Sequence, residues 1–171
     1  MKPTPADPVA WHAHLAEGNA RQARKRVAAD VLLRDAEERV LLVNPTYKPG
    51  WDLPGGMAEA NEPPEETARR ELREELGLDI TLYGLLVVDW VAPHGPWDDQ
   101  LAFVFDGGTL GAREAGTIGP CDGELSEAAF VTQAVAQGLL SDRLRTRFNA
   151  AMTSLHAGGR TTYLHDGRHA W

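Results

Sequence analysis

The stretch that decides the fold runs Gly56-Met57-Ala58-Glu59-Ala60-Asn61-Glu62-Pro63-Pro64-Glu65-Glu66-Thr67-Ala68-Arg69-Arg70-Glu71-Leu72-Arg73-Glu74-Glu75-Leu76-Gly77-Leu78. Pro63 and Pro64 stand where a helix accepts proline, in its first turn, and Gly77 stands where a helix stops. Between them Ala68, Leu72 and Leu76 make one apolar stripe. Glu71, Glu74 and Glu75, at i, i+3 and i+4, fill the neighbouring arc of roughly 100°. Glu75 lies at the seam, so at least one carboxylate is expected to be half buried. Like charges at this spacing oppose each other by about 0.2–0.5 kcal/mol per pair even in water. Either a raised proton affinity or a bound divalent cation relieves that repulsion. Carboxylates with no histidine or cysteine beside them suit a hard ion, Mg2+ or Mn2+. The plain alternative is a solvated Glu/Arg face, since Arg69, Arg70 and Arg73 share the helix.

Working outward, Val9 to about Arg26 reads as a helix with Trp11 and Leu15 on one side. Arg21, Arg24, Lys25 and Arg26 give it a basic end. Val27–Leu33 and Arg39–Val43 read as a hairpin turning through Arg34–Glu38. A loop rich in proline and glycine leads to the helix above. Beyond the helix, Ile80–Val91 is a long β-type run broken by Gly84. Leu101–Phe105 is another, ended by Asp106-Gly107-Gly108. Gly111–Gly123 reads as loop, Ala128–Val131 as a short strand, and Val135–Leu155 as helix interrupted near Gly138. Strands and helices in this order predict an α/β sandwich with a mixed sheet. The expected division is an N-terminal, partly helical extension over 1–26, a main domain over 27–155, and a tail over 156–171.

The 171 residues are 43% hydrophobic and 25% charged, with a formal charge of −8 and one cysteine, Cys121. That composition fits one globular domain that needs no disulfide or Cys-rich zinc site to fold. The net charge speaks against nucleic acid as the partner. No apolar run approaches the roughly 20 residues that span a bilayer. The N-terminal residues lack the apolar core of a signal peptide, so a cytoplasmic protein is expected.

From Gly56 the chain reads Gly56, five residues, Glu62, seven residues, then Arg70-Glu71-Leu72-Arg73-Glu74-Glu75-Leu76-Gly77-Leu78. This resembles the Nudix hydrolases, matching every fixed position of the Nudix box Gx5Ex7REUxEExGU, where U is aliphatic. Gly50-Trp51-Asp52-Leu53-Pro54-Gly55-Gly56 is similar to the family's usual approach to the box. The resemblance implies a Nudix-type α/β/α sandwich that hydrolyses a nucleoside diphosphate linked to another group, X, with Mg2+ or Mn2+. Carried over, Glu71, Glu74 and Glu75 are metal ligands, and one of them or a later glutamate is the base. The backbone carbonyl of Gly55 is a further ligand, or Gly55 is simply a turn glycine. Arg70 pairs with a box glutamate and orients it, and Glu62 is structural. Where many relatives have glycine, this chain has Asn61, which tolerates a left-handed backbone. A homodimer is compatible with the family.

Outside the box, Glu124 and Glu127 precede a predicted strand where relatives place another acid, or they are loop charges. Tyr47, Trp51, Trp90 and Trp97 could stack on a base or pack in the core. His94 is the histidine to test as a substrate contact. Pro93 stands at the spacing after the box that the family associates with ADP-ribose, or it merely shapes a turn. With Trp97 offering a stacking face in the same loop, Pro93, His94 and Trp97 are the expected substrate-binding group. Two other functions are compatible with this kind of fold. A non-catalytic nucleotide sensor is opposed by the intact glutamates. A prenyl-diphosphate isomerase would use a catalytic cysteine, and Cys121 does not obviously fit.

Overall fold

A computed structural model describes residues 3–171. The elements are α1 (Pro8–Ala20), β1 (Arg26–Arg34), β2 (Val40–Pro45), β3 (Gly55–Met57), α2 (Pro64–Leu76), β4 (Gly84–Val91), β5 (Gln100–Thr109), α3 (Ala112–Ala115), β6 (Leu125–Val131), α4 (Gln133–Leu139), α5 (Asp142–His156), β7 (Thr162–His165) and β8 (Arg168–His169). The strands form one mixed sheet in the order β6-β2-β1-β5-β4-β7-β8, with β3 paired to β1. The β1–β5 and β4–β7 pairs are parallel, and the others are antiparallel.

Alternation along β1 and β2 divides the core between the two faces. Ala29, Val31, Leu33, Leu41 and Val43 pack on one side against Ala68, Leu72 and Leu76 of α2. Leu32, Val40 and Leu42 pack on the other against Ala136 of α4, Leu140 between the two helices, and Phe148, Ala151 and Met152 of α5. The sandwich is therefore α/β/α, as expected. Leu72 is fully buried, so Leu72→Ala would cost about 2–5 kcal/mol. The helix ends as anticipated: Gly77 takes φ 66°, and its N–H donates to the Arg73 carbonyl at 3.0 Å.

Several boundaries differ from the sequence reading. α1 stops at Ala20 instead of running to Arg26, has no buried residue, and leaves Leu15 exposed. Its expected basic end is given up to the sheet, because Arg26 pairs with Gln100 and Lys25 with Asp99. Ile80–Tyr83 makes no ladder; Leu78, Ile80 and Leu82 instead pack against the core beneath α2. Asp106-Gly107-Gly108 does not end β5 but lies within it as an irregularity. A Cβ on Gly107 would come 2.6 Å from Val31, and Gly108 takes φ 76°, so glycine permits the strand to continue. The Gly111–Gly123 loop holds the short α3, and the helical run near Gly138 breaks at Leu140 and Ser141. Residues 162–169, inside the expected tail, add β7 and β8 to the sheet beside β4. The turn between them is Asp166-Gly167, both at positive φ, as a two-residue hairpin demands.

Candidate active site

β3 brings Gly55 and Gly56 against β1 and in front of α2. Neither position admits a side chain. A Cβ on Gly55, which takes φ 142°, would sit 2.2 Å from the Ala29 carbonyl oxygen, and one on Gly56 would meet the Glu71 carboxylate at 2.5 Å. The close approach lets the Gly55 N–H donate to Glu75 Oε2 at 3.1 Å. A cavity of about 890 Å3 opens here, with Gly55, Gly56, Glu71, Glu75 and Glu124 on its acidic side.

Arg70 organises the helix from outside this cavity. Its Nε donates to Glu62 at 2.8 Å, and Nη2 donates to Glu62 at 3.1 Å and to the Met57 carbonyl at 3.0 Å. Nη1 reaches Glu74 at 2.8 Å and Glu71 at 2.9 Å. Glu62 also accepts from the Thr67 hydroxyl and the Glu59 N–H. The Arg70 guanidinium first, then the Glu59 amide, holds the Glu62 carboxyl down at about 2. Asn61 takes the left-handed backbone at φ 64°.

The two carboxylates on the cavity wall behave oppositely to Glu62. Burial pushes Glu75 up to about 8, against the Gly55 N–H, with the charge of Glu71 adding to the rise. Burial also raises Glu71, although Arg70 opposes it. Both groups bind protons more tightly than an ordinary glutamate, which is the strain that a cation would relieve.

Four expected site residues thus line one cavity: Gly55, Glu71, Glu75 and His94. Glu124 and Tyr47 line it too, whereas Glu127, Trp51 and Trp90 do not. Glu74 is exposed and held by Arg70. Pro93 and Trp97 lie outside the lining. Trp97 instead stands under the Arg26 guanidinium at 4.9 Å, because reciprocal 3.0 Å bonds between the His94 and Trp97 backbones curl this turn back on itself.

The sequence reading missed five further lining residues: Asp30, Lys48, Asp52, Arg143 and Arg147. Lys48 bonds Asp52 at 2.5 Å. Burial raises Asp30 to about 7, and the charge of Asp52 adds to this while Arg147 and Lys48 oppose it. One signal could have found Asp30, namely a lone carboxylate within the apolar strand Val27–Leu33. Asp89, in Val87-Val88-Asp89-Trp90-Val91, carries the same signal.

The fold and this wall of carboxylates define a class, an α/β/α sandwich presenting a glutamate-rich helix to a cavity beside a glycine pair. The chain belongs to the Nudix family: the model of the NUDIX domain matches residues 24–150. It is 53% identical over 46 residues to the 8-oxo-dGTP diphosphatase of Proteus vulgaris, covering 27% of this chain and 39% of that protein. It is 34% identical over 102 residues to the RNA pyrophosphohydrolase of Gluconacetobacter diazotrophicus, covering 54% and 56%. The chain thus spans about half or less of these curated relatives. In fold it resembles the NUDIX domain of Shewanella oneidensis NrtR, solved with ADP ribose, at TM-score 0.66 and 18% identity, covering 82% of this chain and 97% of that one. No helix among the described residues is long and apolar enough to cross a membrane.

Proposed function

We propose that this chain is a metal-dependent pyrophosphohydrolase that cleaves the phosphoanhydride of a nucleoside diphosphate linked to another group, X. One observation carries the reading: two box glutamates, Glu71 and Glu75, share a cavity wall where burial and mutual repulsion favour a bound cation. The donors are all hard oxygens and fit Mg2+ or Mn2+ in chemistry. Among the described residues no three such side chains already stand close enough to hold an ion. Glu71 and Glu74 would therefore turn from Arg70 toward it. Bound there, the metal would offset phosphate charge and supply a hydroxide nucleophile near neutral pH. Glu75 and the Gly55 carbonyl would complete the ligand set. Arg70 limits where Glu71 and Glu74 can move. Glu124, on the same cavity, is the alternative base. Lys48 and Arg143 line the same cavity and would bind phosphate oxygens, leaving Tyr47 and His94 to contact the rest of the nucleotide. Such a substrate is a soluble cytoplasmic metabolite, with ADP-ribose, a nucleotide sugar, a nucleoside triphosphate and a dinucleoside polyphosphate as its candidate forms.

The test is a panel of these compounds with Mg2+ or Mn2+, resolving phosphate, pyrophosphate and nucleoside monophosphate. Turnover that needs the metal and stops with a chelator, while the circular dichroism spectrum stays unchanged, is the expected result. Tight binding without turnover would favour a nucleotide sensor instead.

A further inference from the structure

Arg147 lines the cavity from α5, yet its guanidinium is buried and turned away from any role as a free anion receptor. Nε and Nη2 donate to Asp89 Oδ2 at 3.2 and 3.1 Å, and Nη1 donates to Asp30 Oδ2 at 3.4 Å. Asp89 is fully buried. Its other oxygen, Oδ1, accepts the Gly167 N–H at 3.0 Å. Gly167 belongs to the β7–β8 turn, outside the matched segment 24–150. The same turn donates the Asp166 N–H to the Trp90 carbonyl at 2.7 Å and sets the Asp166 carboxylate 3.6 Å from Arg143, a second cavity residue. At the other end, Asp30 is the register partner of Gly55. A continuous set of bonds therefore joins the turn to the cavity floor: Gly167, Asp89, Arg147, Asp30. Every polar atom named in it has a partner, and a buried carboxylate or guanidinium left single is costly, so the members hold one another in one arrangement.

We propose that the Asp166-Gly167 turn anchors the cavity, acting through Asp89 and Arg147 as positioning residues that fix Asp30 and thereby set affinity for the nucleotide. This rests on the nucleotide reading of the cavity. Asp89 and Arg147 touch no reacting atom, so the split between KM and kcat separates positioning from mere stability. A purely structural role would reduce the folded fraction and leave the KM of what remains unchanged.

The experiment uses the full chain with Asp89→Asn, Arg147→Lys and Gly167→Ala. Gly167→Ala is the mild variant. Its Cβ has room, 3.6 Å from Thr146, and only φ 78° opposes it, so it keeps the proposal testable if Asp89→Asn does not fold. On the best substrate of the panel, Asp89→Asn should raise KM by about fivefold or more with kcat per folded molecule within about twofold. Arg147→Lys and Gly167→Ala should fall between it and the parent chain. Independently of turnover, the Arg147 Nε–H nuclear magnetic resonance signal should exchange slowly in the parent chain and be lost in Asp89→Asn and Gly167→Ala. Unchanged KM in the variants, or a signal that persists in both, overturns the proposal. If the parent chain neither cleaves nor binds any nucleotide, the functional reading fails, and the Nε–H signal still decides whether the turn holds Arg147.

Discussion

Arg70 and Arg147 each gather carboxylates, and they do so from opposite starting points. The carboxylate partners of Arg70 lie 8 residues or fewer away, and its guanidinium is still 21% exposed. The partners of Arg147 are 58 and 117 residues away, and its side chain is 6% exposed. In the first cluster Glu71 and Glu74 share one helix with Arg70, and Glu62 comes from the loop just before it. The second exists only because β1, β4 and α5 meet across the sheet. Partial exposure leaves the first free to rearrange, as the proposed metal site requires, while burial holds the second in place.

Breaking the rigid cluster should produce the largest effect. Arg147→Met leaves Asp89 and Asp30 uncompensated and should cost about 3–5 kcal/mol in urea unfolding at neutral pH. Arg70→Ala should cost about 1 kcal/mol or less in stability. Equal losses would erase the distinction between the clusters.

Activity should respond the other way. Glu71→Gln, Glu74→Gln and Glu75→Gln should each lower kcat by on the order of 10²-fold at saturating metal. Full activity in any one of them would remove that residue from the ligand set. Arg70→Ala should fall lower on the scale, on the order of tenfold in kcat with KM little changed, because it misorients glutamates without touching substrate.

Acid and base sharpen the contrast further, in the protein kept metal-free by a chelator. Glu75 binds its proton up to about 8 when folded, against an ordinary 4.5. Below that lower value both states are protonated and the group contributes nothing. As pH rises between the two, the folded state alone keeps the proton, so stability falls and stays lower above about 8. Glu75→Gln should remove its share of this slope, leaving the part that Asp30 and Glu71 add, and raise stability at pH 8 by on the order of 1–3 kcal/mol. Thermal melts across pH 5–9 would show it, and parallel curves for the two proteins would contradict it. The smallest effects belong to residues outside both clusters. Arg73→Ala and Trp97→Ala should change kcat and KM by less than about twofold; a loss in Trp97→Ala would restore that ring to the substrate.

Legibility followed the same division. α2, its Gly77 stop and the left-handed Asn61 depend on neighbours a few residues apart, and the sequence carries them. That Arg70 pairs with a box glutamate comes from the family resemblance, and which one, Glu62 first, only the fold shows. Ile80–Tyr83 has the composition of a strand, yet whether it pairs depends on the core under α2, which claims Ile80 and Leu82. Asp106-Gly107-Gly108 reads as a terminator, but Gly107 is demanded by Val31 on the adjacent strand. Asp30, Asp89 and Arg147 become a unit only through long-range packing. Spacing in one dimension does not record which buried charges meet.

The parallel pairing of β4 with β7 also orders events in time. Helix α2 can close its turns within about a microsecond. The contact of Asp89 with Gly167 spans 78 residues, and loops of that kind close late and slowly. During refolding from denaturant, helical signal should therefore return well before Arg147 is held, and for that interval the glutamate helix faces an unfinished site.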